Sequence, residues 1–299
     1  MIKSVLKRIF WPMHLWKAFQ LSREKKNVSR SAEDPQLKLY DKILQTDFLH
    51  YGYFEDPEIP AEKISLHDIR IAQINYARLI IDQIKNNYGN VLDVGCGMGG
   101  LIGMLQNAGF KAYGVTPDRH QISYIEKKYP DAKVIRSKFQ KMETEGFETF
   151  FDTIINSESL QYISPEKAIP KILSMLKPDG RWIVVDYFRF GEAHEKSGHN
   201  WNDFERLLSE NHLKIVYKQE ITKNILPTLA YIYMWGEQIG KPLFEFLTAK
   251  LERKHPGKNY ILSEMISELN LKIDKKLNIV NPEFFARDKK YILLTIERV

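Results

Sequence analysis

Four glycines follow a short apolar segment within ten residues of this chain, and that arrangement limits what the chain can fold into. The segment reads Val91-Leu92-Asp93-Val94-Gly95-Cys96-Gly97-Met98-Gly99-Gly100. Closely spaced glycines after an apolar strand let backbone amides approach a ligand, because no Cβ stands in the way. A helical pattern begins at residue 99, and a helix N-terminus adds partial positive charge. The loop therefore predicts a ligand site between a strand and a helix.

The segments on either side of this loop alternate between strand and helix patterns. The strand patterns lie at 90–95, 111–116, 132–136, 151–156, 181–187, 213–219 and 290–297, and the helical patterns at 64–85, 99–108, 118–129 and 164–177. Alternation of this kind predicts a parallel sheet covered by helices. We therefore expect an α/β fold with a Rossmann-like, mostly parallel seven-stranded sheet and helices on both faces. An N-terminal amphipathic helix and a helical insert before the last strand complete this prediction.

The same patterns divide the 299 residues into four parts. We expect a basic amphipathic leader at 1–30 and a core with an N-terminal helical cap at 31–224. A helical lid insert follows at 225–276, and the final strand of the core sheet lies within 277–299. A helical insert near the end of a sheet is a candidate cover for a ligand site.

Basic charge is concentrated in the leader. Residues 1–30 hold eight Lys and Arg side chains against one acid, whereas the whole chain has a net charge of +6, so the body is close to neutral. A nearly neutral body predicts no nucleic-acid partner. Apolar residues at helical spacing, together with Trp11 and Trp16, are typical of a segment that lies on an anionic membrane surface. The leader therefore predicts membrane contact through residues 1–20, with a helix packed on the body as the alternative.

The single cysteine, Cys96, excludes a disulfide scaffold and fits a reducing compartment. We expect a cytoplasmic protein, which would be peripheral on the membrane if its leader binds lipid. The sequence leaves the oligomeric state open.

The glycine spacing has a second interpretation. Gly95, Gly97 and Gly100 match the dinucleotide pattern G-x-G-x-x-G, which would make the chain an NAD-dependent oxidoreductase. Asp93 argues against this interpretation, because a carboxylate repels a pyrophosphate and attracts an ammonium group. The second strand also ends at Thr116, where the dinucleotide motif expects an acid for the ribose.

The stretch D-V-G-C-G-x-G after a strand resembles the first motif of class I S-adenosylmethionine-dependent methyltransferases. The resemblance runs from about residue 40 to about residue 220 and includes Phe151-Asp152 and the turn Leu176-Lys177-Pro178-Asp179-Gly180. Two further segments look like the branch that holds cyclopropane fatty acid synthases and tocopherol and sterol methyltransferases. They are Gly114-Val115-Thr116-Pro117-Asp118-Arg119-His120-Gln121 and Leu49-His50-Tyr51-Gly52-Tyr53-Phe54.

This resemblance implies a site for S-adenosyl-L-methionine and no metal. Asp93 would hold the methionine end of the cofactor, and Thr116 and Gln121 would contact its ribose. The implied cofactor-binding residues are Tyr53, Asp93, Gly95, Cys96, Gly97, Thr116, Gln121, Lys138, Phe139 and Ser157. Between two glycines, Cys96 reads as a small packing residue rather than a nucleophile.

The resemblance further implies in-line methyl transfer, which needs positioning and exclusion of water. An oxygen or nitrogen acceptor would also need a base. The candidate catalytic residues are His199, His50 and Tyr51. Glu158 and Asp186, at strand ends, are either bases or structural acids. Tyr51 and Gln161 stand where cyclopropane synthases place a cysteine and a glutamate, so we expect plain methyl transfer without ring formation.

The expected function is S-adenosylmethionine-dependent transfer of a methyl group to a small-molecule or lipid-like acceptor. The leader and the aromatic residues of 225–276 favour that acceptor class. Two alternatives stay open: an NAD-dependent oxidoreductase, and a non-catalytic membrane-associated protein that binds S-adenosylmethionine. Lys138, near a position where many relatives carry an adenine-binding acid, keeps the second alternative open.

Overall fold

The computed structural model describes residues 44–85, 89–190 and 197–299, together with single positions at 12, 13, 16, 17, 19, 20 and 42. Apart from those few positions, the leader and its predicted amphipathic helix lie outside the described residues. The described residues form a central sheet with helices packed on both of its faces, as the sequence pattern predicts.

The sheet contains eight strands in the part of the chain that the structure describes. They are β1 (Asn90–Val94), β2 (Lys111–Thr116), β3 (Lys133–Arg136), β4 (Phe151–Ser157), β5 (Leu176–Arg189), β6 (His199–Asn200), β7 (Leu213–Glu220) and β8 (Lys289–Arg298). Their order is β3-β2-β1-β4-β5-β8-β7, and the short β6 pairs with β5 outside this path. The first five strands pair in parallel, whereas β8 runs antiparallel to β5 and β7. The seven strands of the path confirm the predicted, mostly parallel sheet.

The helices are α1 (Leu66–Ile81), α2 (Gly100–Asn107), α3 (Arg119–Lys128), α4 (Pro165–Met175), α5 (Trp201–Glu210), α6 (Thr222–Trp235), α7 (Lys241–Lys254), α8 (Pro256–Val280) and α9 (Pro282–Asp288). A π-helical turn, Gly236–Gly240, joins α6 to α7. Val91 of β1 packs in one buried cluster with α1, α2 and α6, while the next residue, Leu92, packs in another with α4 and α5. Successive strand residues point to opposite faces, so the two clusters are the two sides of the core. None of the described helices has the length and apolarity to cross a membrane.

The predicted turn before β5 is a bulge within the β4–β5 pairing. Phe151 pairs with Leu176, whereas Thr153, two residues further along β4, pairs with Arg181. The residues between Leu176 and Arg181 therefore loop out, which agrees with the Pro-Asp-Gly sequence at 178–180.

The last strand occupies Lys289–Arg298, which includes the strand pattern predicted at 290–297. The residues from 277 to 288, which precede it, complete α8 and form α9. The side chain of Asn281 caps α9 by accepting hydrogen bonds from the amides of Glu283 and Phe284, at 2.9 and 3.2 Å. A proline at the first helical position also favours this helix start.

The register brings the carboxyl ends of the central strands to one edge of the sheet. Asp93 of β1 is level with Gly114 of β2, and Val94 of β1 is level with Asn156 of β4. Ligands of open parallel sheets bind outside this edge, where the strand order reverses. That point lies between β1 and β4, next to the glycine loop.

Candidate active site

A cavity of about 410 Å³ lies at the carboxyl edge, beside the point where the strand order reverses. Its volume is within the range of about 300–1,000 Å³ that is common for small-molecule sites. The ends of β1, β2 and β4, the glycine loop, and the residues that precede α1 line it. The glycine loop predicted from the sequence is therefore part of a cavity wall.

The conformation of the glycine loop requires glycine. Gly95 has φ +82° and Gly97 has φ +53°, both in the left-handed region that residues with a Cβ rarely adopt. The Gly95 amide donates a hydrogen bond of 2.8 Å to the carbonyl of Val115 in β2. A Cβ on Gly95 would lie 2.7 Å from the Cβ of Ser159, so a larger residue would displace the loop. Conformation and space both exclude a side chain at Gly95.

Asp93 presents an unsatisfied carboxyl group to the cavity. The residue is 2% exposed, and its Oδ1 atom has no hydrogen-bond partner among the described residues. Burial raises the pKa of Asp93 from 3.8 to about 7. A buried carboxylate oxygen without a partner costs free energy. A ligand group that is cationic or donates a hydrogen bond would remove this cost.

Thr116 and Gln121 form a polar pair in the same cavity. Thr116 Oγ1 donates a hydrogen bond of 2.6 Å to Gln121 Oε1. Asp118 caps α3 by accepting hydrogen bonds from the amides of His120 and Gln121 at 2.7 and 3.2 Å. The cap fixes where α3 begins. It thereby sets Gln121 next to the end of β2, as the spacing of Thr116 and Gln121 predicts.

Residues 45–54, here called the cap segment, supply a further side of the cavity. Gln73 of α1 holds the segment, because its Nε2 donates hydrogen bonds to the carbonyls of Phe48 and His50 at 3.3 and 2.7 Å. Towards its end, the Gly52 amide donates a 3.0 Å hydrogen bond to the hydroxyl of Thr228 in α6. The cap segment is thus anchored to two helices.

Asp47 anchors the cap segment to a third helix. Its carboxylate accepts hydrogen bonds from the hydroxyls of Tyr124 and Tyr129, at 2.7 and 2.6 Å, and pairs with Lys128 at 2.6 Å. Asp47 also lines the cavity. These contacts connect α3, which carries Gln121, to the cap segment across the site.

His50 is a neutral hydrogen-bond acceptor in the cavity. Its Nδ1 lies 2.7 Å from the carbonyl of Tyr51 and donates to it, which leaves Nε2 unprotonated in the neutral ring. Nε2 is buried without a partner among the described residues, and the ring stacks on Tyr76 with centroids 4.1 Å apart. Burial lowers the pKa of His50 to about 4. With that pKa, the imidazole is a weak proton acceptor at neutral pH.

Glu158 is better suited to proton transfer. It follows β4 with φ +48°, a strained conformation for a residue with a side chain. Oε1 accepts hydrogen bonds from the Tyr51 amide at 2.8 Å and the Tyr291 hydroxyl at 2.5 Å, and no described residue donates to Oε2. Burial raises the pKa of Glu158 to about 8, against the effect of these two donors. A carboxyl group with this pKa in a cavity wall is suited to act as a base.

Two buried tyrosines extend the network around Glu158. The hydroxyls of Tyr291, in β8, and Tyr76, in α1, are hydrogen-bonded at 3.1 Å. Burial raises the pKa of both hydroxyls well above 10. They therefore stay protonated and available as hydrogen-bond donors over the physiological pH range.

The structure brings most of the predicted site residues together. The cavity is lined by His50, Asp93, Gly95, Cys96, Gly97, Thr116, Gln121 and Ser157. The Cys96 side chain is buried in the core cluster beside the loop, and burial raises the pKa of its thiol, which agrees with a packing role.

Five predicted site residues do not line this cavity: Tyr51, Tyr53, Lys138, Phe139 and His199. Phe139 is buried in the core cluster around Leu92, and Lys138 beside it is exposed. His199 Nε2 lies 2.8 Å from the carbonyl of Leu160. Tyr51 and Tyr53 pack partly buried against the core, and Tyr51 contacts Glu158 through its amide. The predicted ligand contacts of these five side chains stay predictions.

Several cavity residues were not among the predicted site residues. The sequence predicts Glu158 as either a base or a structural acid, and its position at the end of a strand is the signal for it. Asp47 and Tyr162 line the cavity, and Tyr162 is 78% exposed at its rim. Tyr291 is 133 residues away from Glu158 in the chain, so no local pattern connects the two.

Comparisons with known proteins show the family to which the chain belongs. The family model described as a methyltransferase domain matches residues 68–223, just over half of the chain. An O-methyltransferase of Pyrenophora dematioidea is 24% identical over 218 residues, which cover 66% of this chain and 79% of that protein. An uncharacterised methyltransferase of Bacillus cytotoxicus is 28% identical over 137 residues, which are 44% of this chain and 63% of that protein.

Solved structures share the fold. Geranyl diphosphate C-methyltransferase from Streptomyces coelicolor A3(2) has a TM-score of 0.64 at 17% identity, over 92% of this chain and 96% of that chain. The cyclopropane synthase MmaA2 from Mycobacterium tuberculosis has a TM-score of 0.59 at 14% identity, over 87% of this chain and 92% of that chain. These likenesses confirm the fold that the resemblance implied.

A parallel sheet with a glycine loop and a polar cavity where its strand order reverses defines a Rossmann-like small-molecule-binding protein. The chain belongs to the methyltransferase domain family and is an S-adenosylmethionine-dependent methyltransferase. The cavity fits this cofactor, because the unpartnered Asp93 Oδ1 and His50 Nε2 match hydrogen-bond donors. Among the described residues, no cluster of His, Cys, Asp and Glu could hold a metal ion.

Proposed function

We propose that the protein transfers a methyl group to an oxygen atom of a small-molecule or lipid-like acceptor, with Glu158 as the base. The observation that carries this proposal is the position of the buried Glu158 in the wall of the cavity that also contains Asp93 and the glycine loop, where burial raises its pKa to about 8. The similarity of the chain to an O-methyltransferase of Pyrenophora dematioidea supports an oxygen acceptor.

The cofactor would be held by residues of the cavity wall at the carboxyl edge of the sheet. Asp93 would bind its ammonium group, and the backbone of Gly95 and Gly97 would contact the rest of the methionine end. Thr116 and Gln121 would bind the ribose hydroxyls. When bound, S-adenosylmethionine supplies a methyl group that its sulfonium makes electrophilic. The residues of this chain then have to position the acceptor and exclude water.

Glu158 would take the proton that an acceptor hydroxyl loses. Its Oε1 atom is engaged by the Tyr51 amide and the Tyr291 hydroxyl, so Oε2 is the oxygen left for the acceptor. The same two donors would stabilise the carboxylate that must be present before the reaction. A base whose pKa lies near the working pH combines a useful ionised fraction with high proton affinity.

The cavity supports an acceptor with apolar surface. Phe48, Leu49 and Leu101 contribute apolar side chains, and the exposed ring of Tyr162 lies at the rim. Such a lining favours a hydrophobic molecule that carries few polar groups. Membrane contact through residues 1–20 would supply lipid-like acceptors, and that contact remains a prediction from the sequence.

The test is transfer of a labelled methyl group from S-adenosylmethionine to a total lipid extract, followed by identification of the methylated atom by mass spectrometry. We expect label in the lipid phase as a methyl ether or ester. Label only in a water-soluble pool would overturn the lipid-like acceptor, and a methylated nitrogen or carbon would overturn the oxygen acceptor. Binding of S-adenosylmethionine without transfer to either pool would support a non-catalytic binding protein.

A further inference from the structure

The helical hairpin formed by α7 and α8 contributes almost nothing to the core. No side chain of α7 is buried, and Leu277 is the one buried side chain of α8. Helices in folded proteins gain most of their stability by burying an apolar face. A hairpin of this length that leaves its apolar residues in solvent is therefore a candidate interaction surface.

Exposed apolar residues follow a helical spacing along both helices. Through α6, the π-helical turn and α7, they are Ile232, Trp235, Ile239, Leu243 and Phe246, which lie three or four positions apart. Along α8 they are Ile261, Met265 and Leu269, four positions apart. Trp235 is 48% exposed, Phe246 58% and Ile261 75%. These eight residues are called the hairpin face below.

The hairpin is basic, whereas most of the chain is not. Residues 241–280 contain eight Lys and Arg side chains against five acids. Outside this range and the basic leader at 1–30, 28 basic side chains stand against 32 acidic ones. Four of the hairpin's basic residues lie near the turn between α7 and α8: Lys250, Arg253, Lys254 and Lys258. Exposed apolar and aromatic side chains next to basic residues are typical of segments that bind anionic bilayers.

We propose that the hairpin face docks on an anionic lipid surface. A second copy of the chain would bring two positively charged hairpins together, whereas anionic headgroups complement their charge.

The hairpin also continues α6, which carries Thr228 and Asn224. These residues hold Gly52 and Phe54 of the cap segment by hydrogen bonds of 3.0 and 2.7 Å. The proposed docking surface is thus continuous with the helix that holds the cap segment. This inference concerns binding alone and stands whether or not the proposed oxygen acceptor is correct.

A fluorescent label tests the docking at the hairpin itself, independently of the leader. The only native cysteine, Cys96, is buried, so an introduced surface thiol can be labelled selectively. Ile261→Cys, labelled with an environment-sensitive dye such as NBD, reports on the hairpin face. Val216→Cys on β7 is the matched control, because Val216 is also an exposed β-branched residue. With vesicles of equimolar phosphatidylcholine and phosphatidylserine, we expect a blue shift at position 261 and none at position 216.

The role of charge is tested with Arg253→Gln/Lys254→Gln in the full chain. Each basic residue near an anionic surface contributes about fivefold in affinity, so we expect the vesicle concentration that gives half of the blue shift to rise about 30-fold. Lys141→Gln/Lys167→Gln, which removes two exposed lysines elsewhere, should leave it unchanged.

Three results would overturn the docking. They are no spectral change at position 261 with anionic vesicles, an equal change with pure phosphatidylcholine, and a change that appears without vesicles as protein concentration rises. The last result would identify a second copy of the chain as the partner. Flotation of the protein without a change at position 261 would assign membrane contact to the leader alone.

Discussion

Replacement of Glu158 by glutamine is the substitution that tests the proposed base with the least structural change. Glutamine retains an oxygen that accepts the hydrogen bonds of the Tyr51 amide and the Tyr291 hydroxyl, so the local structure should persist. The glutamine amide cannot take up a proton at neutral pH. The variant therefore separates the role of Glu158 in proton transfer from its role in holding Tyr51 and Tyr291.

The expected loss of rate follows from the usual contribution of a general base, and the pH dependence of the rate follows from the raised pKa of Glu158. A positioned general base contributes about 10²–10⁴-fold, so we expect kcat to fall by that factor in Glu158→Gln. With the pKa of Glu158 at about 8, roughly a tenth of the wild-type carboxyl groups are ionised at pH 7. Because the ionised form is the base, the wild-type rate should rise with pH and level off above about pH 8, and the variant should lose this rise.

The assay follows label transferred from S-adenosylmethionine to the lipid extract over this pH range, with Glu166→Gln as the control. Glu166 is an exposed acid on α4, so its replacement should leave both rate and profile unchanged. A Glu158→Gln protein that binds cofactor normally and keeps the wild-type rate and pH profile would refute the assignment of Glu158 as the base.

Two further substitutions probe the loop and the buried acid. Gly95→Ala should abolish cofactor binding in calorimetry and lower the melting temperature, because a left-handed φ costs about 1–2 kcal/mol and the new Cβ would meet Ser159. Gly146 has a nearly equal φ of +81°, and its Cβ would lie in open space, so Gly146→Ala should show the conformational cost alone. Equal effects of the two substitutions would contradict the steric argument. The pKa of Asp93 is about 7 in the folded protein against 3.8 in the unfolded chain, so the folded protein binds this proton more tightly. The stability of the ligand-free protein should therefore fall as the pH rises from about 4 to about 7. That pKa difference corresponds to a loss of unfolding free energy on the order of 4 kcal/mol between pH 4 and pH 8, which Asp93→Asn should remove. The measurement is the unfolding free energy from denaturant melts over this pH range. A variant that loses as much stability with pH as the wild-type protein would contradict the prediction.

Local chain chemistry explains why the strands and the glycine loop could be predicted. The left-handed glycines after the apolar segment depend on neighbouring residues, and the Thr116–Gln121 pair follows from a helix that begins at Arg119, three residues after the strand end at Thr116. These features depend on short-range sterics and hydrogen bonding, which the sequence carries within a few positions.

The remainder of the site depends on contacts between distant parts of the chain. Tyr291 reaches Glu158 only because β8 inserts antiparallel between β5 and β7, and no periodicity in the sequence encodes that order. Phe139 is one of the cofactor-binding residues that the resemblance implies, and its ring is buried in the core, a position that the local sequence does not reveal. The raised pKa of Glu158 likewise results from its burial in the fold, which the sequence pattern around it does not reveal.

The account depends most on the match between Asp93 and the amino-acid end of the cofactor. Calorimetric titration of the full chain at pH 8, where Asp93 is ionised, should show binding of S-adenosylmethionine and S-adenosylhomocysteine and no binding of NAD. Loss of one charge-assisted hydrogen bond in Asp93→Ala should weaken that binding by about 10- to 100-fold. Equal affinity of Asp93→Ala and the wild-type protein for S-adenosylhomocysteine would contradict the account.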